Sequence, residues 1–231
     1  MVGATRRATA GGPVISENSD LRVEEIESDI VLLGAGGAGL CAALHATDTR
    51  VRPSVVVAVK GLLGRAGCTR MVQGGYNAVL TPPDSLEAHV LDTLRGGAWL
   101  NDQDLVTLLV STAPQRVLEF ENRYGCFFDR TPDGRVRRKP FAGQSHDRTV
   151  HKGDLTGIEI MNRLAEQVWA RERVRMLEDH RAVSLLQDEN GAVGGALLLN
   201  LRTGHFVAVR RPRSASERRC PDGSSAPGRR W

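Results

Sequence analysis

The chain has 231 residues, a formal net charge of +4 and 41% hydrophobic residues, enough for one large domain with a sizeable core. Six arginines and two acidic residues fall in 211–231, which leaves 25 basic and 25 acidic side chains in residues 1–210. The body therefore presents no excess positive field to a phosphate backbone, and nucleic acid is excluded as its partner.

Cys41, Cys68, Cys126 and Cys220 are widely spaced and form no C-x-x-C pair. This suits a reducing compartment and argues against a disulfide framework or a structural zinc site. The first twenty residues contain Arg6-Arg7 but no apolar core of a secretory signal. No apolar run approaches the length of a membrane span, so a soluble body without direct membrane insertion is expected.

In chain order, residues 1–27 are polar and read as an irregular lead-in. "SDIVLLG" (28–34) is a β-branched run ending in Gly, which predicts a buried strand. "AGLCAALHA" (38–46) is rich in helix formers, and "PSVVVAVK" (53–60) predicts a second buried strand, so the chain opens as a βαβ unit. Residues 61–78 are Gly-rich. From Asp84 to Tyr124 the period is helical, carried by Leu86, Val90, Leu91 and Leu94, then Leu105, Leu108 and Leu109, then Val117, Leu118 and Phe120. Pro132-Asp133-Gly134 marks a hairpin turn. Thr156–Glu172 reads as an amphipathic helix with Ile160, Leu164 and Val168 on one face. Three strand-like runs at 181–187, 192–200 and 205–210, separated by "DENG" and "RTG", predict an antiparallel meander.

The motif that carries chemistry is Gly34-Ala35-Gly36-Gly37-Ala38-Gly39, a G-x-G-x-x-G between a strand and a helix. Its first Gly permits the tight turn and its second lets backbone approach a pyrophosphate. Its third lets helix and strand pack closely, with the helix N-terminus facing the anion. The carboxylate that binds ribose in many such folds is missing: the second strand ends in Val59-Lys60. Lys60 is either a solvated strand end or a cation near the cofactor's phosphates. His146 and His151, among Asp147, Arg148 and Lys152, read as solvated loop residues.

"DIVLLGAGGAGL", "CTRMVQGGYNAV" and "FAGQSHDRTVHKGDLTG" together resemble the flavoprotein subunits of succinate dehydrogenase and fumarate reductase, with L-aspartate oxidase as a soluble relative. The resemblance runs from about Asp29 to Arg210. It implies an α/β fold: a Rossmann-like FAD-binding domain with a βαβ start, a helical insert and an antiparallel β-meander, present here as its N-terminal part. It also implies that FAD is held through Gly34, Ala35, Gly36, Gly37, Ala38, Gly39, Lys60, Thr69, Gln73, Gly74 and Gly75. Arg148, Thr149, Asp154 and Thr156 match the family pattern too, and read equally as cofactor contacts or as caps of the helix that begins near Leu155. Where membrane-bound members link FAD covalently to His, this chain has Cys68, so a non-covalent flavin is expected. Cys68 itself reads as a small packed residue in preference to a reactive thiol.

The activity implied is hydride transfer between a dicarboxylate and FAD, with aspartate oxidation or a non-catalytic dinucleotide-binding fragment as alternatives. An iron–sulfur subunit is the implied electron partner, and the implied location is cytoplasmic, peripheral to the inner face of a membrane through that partner. The family's substrate-binding residues and capping domain fall beyond Trp231, so no residue here is assigned as catalytic and little turnover is expected of this chain alone. Residues 211–231 hold six Arg, three Pro and four Ser and no Leu, Ile, Val or Phe, which predicts a disordered tail. In the family the strand instead continues toward A-T-G-G, and a one-base shift of GC-rich codons near 211 reproduces the start of that continuation.

Overall fold

The computed structural model describes residues 23–65 and 67–212. The tail expected at 211–231 thus lies outside the described residues except for Arg211 and Pro212. Two sheets stacked with a helical layer position the site.

The first sheet is parallel. It holds β2 (Ile30–Leu33), β3 (Val55–Ala58) and β7 (Val174–Leu177) in the order β2-β3-β7. β3 is buried along its whole length because it is central and covered on both faces. Its side chains alternate between two cores. Val55 and Val57 pack with the α-helices, and Val56 and Ala58 pack with the second sheet. On the helical side lie α1 (Gly37–Thr47) and α5 (Thr156–Trp169). α5 buries Ile160, Leu164 and Val168 as its period predicts.

The second sheet is the expected meander, β8 (His180–Gln187), β9 (Val193–Asn200) and β10 (Phe206–Arg210), paired antiparallel. It gains a strand where an irregular lead-in is expected. β1 (Val23–Glu27) runs parallel to β10, with Ile26 opposite Val209, so the irregular segment expected over 1–27 is corrected at its last five residues. Three of those five residues are Glu, and only Ile26 is buried. The strand exists because β10 supplies its hydrogen bonds, which no local pattern reveals.

The insert contains α3 (Leu86–Gly96) and α4 (Gln103–Asn122), capped by Ser85 and by Asp102, whose side chains accept backbone N–H groups of the first turns. α4 continues through Pro114. Its buried face is Val106, Val110, Ala113 and Val117, whereas Leu105, Leu108 and Leu109 are exposed. The leucine spacing thus marks the outer face, because the β-branched stripe packs on α3 and the body. Between insert and sheet, α2 (Cys68–Met71) precedes a small antiparallel sheet. That sheet contains β4 (Tyr76–Asn77), β5 (Arg138–Lys139) and β6 (Thr149–Val150) in the order β4-β6-β5. Tyr76 anchors it edge-on to Phe128 and Phe120, at 5.8 and 6.2 Å between ring centres.

Candidate functional site

β2 and β3 run parallel with Leu33 opposite Ala58, so Gly34 and Lys60 leave the sheet at the same carboxyl edge. The Gly34 N–H donates to the Ala58 carbonyl at 2.8 Å, which fixes the turn against the neighbouring strand. Gly34 has φ +112°, a conformation that side chains resist. At Gly39 a Cβ would stand 2.1 Å from the Gly34 carbonyl oxygen, so only glycine lets α1 approach β2. Gly36 is different. A Cβ there meets no protein atom within 4 Å and would enter open space above the helix.

That open space lies over the N-terminus of α1. The helix has Gly36 as its N-cap, no side-chain cap bond and no acidic residue in its first turn. It thus offers N–H groups and the positive end of its dipole to an anion. Ala35 is buried, Gly36, Gly37 and Gly39 are partly accessible, and Gly34 and Ala38 are exposed. This geometry fits a dinucleotide pyrophosphate at the site. The fit rests on the empty side-chain volume at Gly36 and on a helix start with no acidic residue and no cap from its own N-cap residue.

Thr69 joins this turn directly, because its Oγ1 accepts from the Gly37 N–H at 3.2 Å. Gly157 N–H donates to the Val72 carbonyl at 2.8 Å and the Thr156 hydroxyl reaches the Gln73 carbonyl at 3.5 Å, which hold the segment after Thr69 against the start of α5. Gly75, at φ +110°, lies so close to β6 that a Cβ would be 2.1 Å from the Val150 carbonyl oxygen. Gly74 faces Phe141, whose ring edge would be 3.2 Å from a Cβ. Gln73 is exposed, as is Lys60 two residues past the end of β3. The loop after Lys60 is tied down by β7's neighbour Glu178, whose Oε1 accepts from the Leu63 N–H at 2.8 Å.

Several expectations change here. Thr156 and Arg148 do not cap α5: its N-cap, Leu155, makes no side-chain cap bond, and the Thr156 hydroxyl accepts from the Lys152 N–H at 3.0 Å. His151 is buried, with Nδ1 3.1 Å from Asp129 Oδ2, because β6 carries it inward; burial first, then Lys139, pushes its pKa down. His146 stays partly accessible. Cys68 is exposed and not packed, since α2 is a single turn with none of its residues buried. Sequence reasoning did not identify β7, the contact of Glu178 or the close approach of Gly157. β7 escapes it because Arg175 separates Val174 from Met176 and Leu177, and no apolar run or strict alternation results.

Elsewhere, a groove of about 310 Å³ lies between Leu80, Pro114, Val117 and Arg135 and shares no residue with this cleft. Among the described residues no cluster of His, Cys, Asp and Glu could hold a metal ion. No helix among them is long and apolar enough to cross a membrane.

A family model described as an FAD binding domain matches residues 29–217. The chain is 44% identical over 184 residues to an uncharacterized FAD-dependent oxidoreductase of Methanocaldococcus jannaschii, covering 80% of this chain and 33% of the relative. It is 40% identical over 190 residues to a fumarate reductase (CoM/CoB) subunit of Methanothermobacter marburgensis, covering 81% and 34%. The solved apo form of the Mycobacterium smegmatis Sdh1 complex superposes with a TM-score of 0.77 at 35% identity, over 82% of this chain and 34% of that one. The E. coli quinol fumarate reductase flavoprotein, FrdA, also superposes with a TM-score of 0.77, at 31% identity over 82% and 32%. The chain spans about a third of the length of the curated relatives it matches. With the glycine turn, the sheet order and the matched span in agreement, the chain belongs to the FAD-binding domain family of FAD-dependent oxidoreductases, with the flavoprotein subunits of fumarate reductase and succinate dehydrogenase.

Proposed function

We propose that this chain is the FAD-binding part of an oxidoreductase that moves a hydride between a dicarboxylate and the flavin. The observation that carries the reading is the open side-chain volume of Gly36 over an α1 N-terminus whose N-cap residue has no side chain to cap it. In this reading the backbone N–H groups of Gly36, Ala38 and Gly39 face the pyrophosphate, with Gly34 and Ala35 forming the turn and the Gly37 N–H held by Thr69. Lys60 contributes a cation at the same edge of the sheet. Thr69, Gln73, Gly74 and Gly75 form the wall that the rest of the cofactor rests on. When bound, the flavin supplies two-electron chemistry, accepting or donating the hydride. The chain's own residues orient it and exclude water from one face.

Attachment is non-covalent in this reading, because Cys68 occupies the position of the linking His. The likeness to fumarate reductase flavoproteins supports a dicarboxylate substrate and an iron–sulfur partner. A titration of the purified chain with FAD tests the reading. Saturable one-to-one quenching of flavin fluorescence is expected, and its absence refutes the proposal.

A further inference from the structure

We propose that Arg148 is the positioning residue of the flavin-bearing loop, pinned by Asp84 and Asp92 and transmitting that fixed position through β6 to residues 75–78. The inference rests on the reading of 69–75 as the wall of the FAD site, but its first test does not involve FAD.

Arg148 is fully buried, so it cannot touch a ligand itself. Its guanidinium grips the Asp84 carboxylate with two bonds, Nε to Oδ2 at 2.9 Å and Nη2 to Oδ1 at 2.7 Å. On the other side Nη1 donates to Asp92 Oδ2 at 2.7 Å. Asp84 lies just before α3 and Asp92 is within it, so the fork is held at two points of one helical segment. Ser145 completes the grip, donating from N–H and Oγ to the same Asp92 oxygen at 2.8 and 2.7 Å. His89, buried on the same helix, has its pKa lowered by burial first and then by Arg148. His146 Nδ1 stands 3.6 Å from Asp84 on the accessible side. A rigid planar fork is required here, since a lysine cannot make the bidentate pair and reach Asp92 together.

The other end of the residue is its backbone. The Arg148 carbonyl accepts from the Ala78 N–H at 3.0 Å. Thr149 Oγ1 donates to Asn77 Oδ1 at 2.8 Å, and Val150 pairs with Tyr76. The Val150 carbonyl is where Gly75 comes closest to β6, so that contact has no slack. The chain of contact therefore runs from two carboxylates through one guanidinium to the strand beneath Gly75.

The test compares Arg148→Lys, Arg148→Met and Asp92→Asn with Val207→Ala, a core change in the distant meander. Amide hydrogen exchange of the full chain without FAD is read first. Exchange at 76–78 is expected to speed up about tenfold or more in Asp92→Asn and Arg148→Lys, with β8, β9 and β10 unchanged. Arg148→Met should be worse than Arg148→Lys, which rescues part of the protection; if Met fails to fold, the other two variants decide. FAD titration should show about tenfold weaker binding in both folded variants, with Val207→Ala near wild type at matched loss of melting temperature. Unchanged exchange at 76–78, equal acceleration throughout the chain, or equal loss of FAD in Val207→Ala overturns the proposal. Wild type that binds no FAD overturns the cofactor reading instead, while the exchange data still decide the role of Arg148.

Discussion

A Cβ on Gly157 would stand 2.1 Å from the carbonyl oxygen of Thr69, so helix α5 meets the α2 segment backbone to backbone. The contact sets where the Thr69 hydroxyl lies, and that hydroxyl holds the Gly37 N–H. Gly157→Ala is expected to destabilise the fold by about 1–3 kcal/mol through overpacking and to weaken FAD binding. Urea denaturation with a parallel FAD titration checks it. An unchanged midpoint would show that the two segments separate freely.

Two glycines of one motif should fail in different ways. Gly36→Leu places a Cβ where no protein atom lies within 4 Å, so melting temperature should stay near wild type while FAD binding is lost. Gly39→Ala places a Cβ 2.1 Å from the Gly34 carbonyl, so stability should fall together with binding. Thermal melts beside FAD titrations separate the two. Tight FAD binding by a folded Gly36→Leu variant rules out the assigned pyrophosphate position.

Acid should loosen the Arg148 cluster. Burial opposes ionisation of Asp92, but hydrogen bonds from Ser145 and Arg148 outweigh it and hold its pKa down at about 2, against an ordinary 3.8. Asp84 is lowered likewise, burial being outweighed by Arg148. A carboxylate with a depressed folded pKa adds stability that is complete above its unfolded pKa and is lost as pH falls toward the folded one. The Asp92 contribution, about 2 kcal/mol, should therefore vanish between roughly pH 4 and pH 2. Urea midpoints across that range should fall more gently in Asp92→Asn than in wild type; parallel slopes contradict the assignment.

Acid precipitation of the FAD-loaded chain should release all flavin to the supernatant, since the proposed attachment is non-covalent, with Cys68 read at the position of a linking His. Yellow colour left in the pellet refutes non-covalent attachment.

Among the described residues β2 pairs with β3 alone, and its last residue, Leu33, is 47% exposed. An apolar edge strand is a template for association with other chains. Leu33→Lys is expected to raise the concentration at which light scattering begins to climb. No change in onset argues that this edge is not the sticky surface.

The βαβ opening, the glycine turn, the buried face of α5 and the three-strand meander were legible in the sequence, because each is a local pattern whose period states its own structure. Cys68 and the leucine row of α4 were not. Both are apolar or small residues whose neighbours decide between core and surface. β1 was hidden for a related reason: "VEEIE" has little strand character until β10 stands beside it. Arg148 shows the difference most sharply. Its chemistry suggests solvent, yet Asp84 and Asp92, 64 and 56 residues earlier in the chain, let it be wholly buried. Sequence alone determined a turn fit for a dinucleotide pyrophosphate, since glycine spacing is a backbone requirement read in one dimension, and FAD came from the resemblance that its motifs carry. Tertiary structure alone decided what holds that loop in place, because a buried charge can exist only where distant partners converge on it.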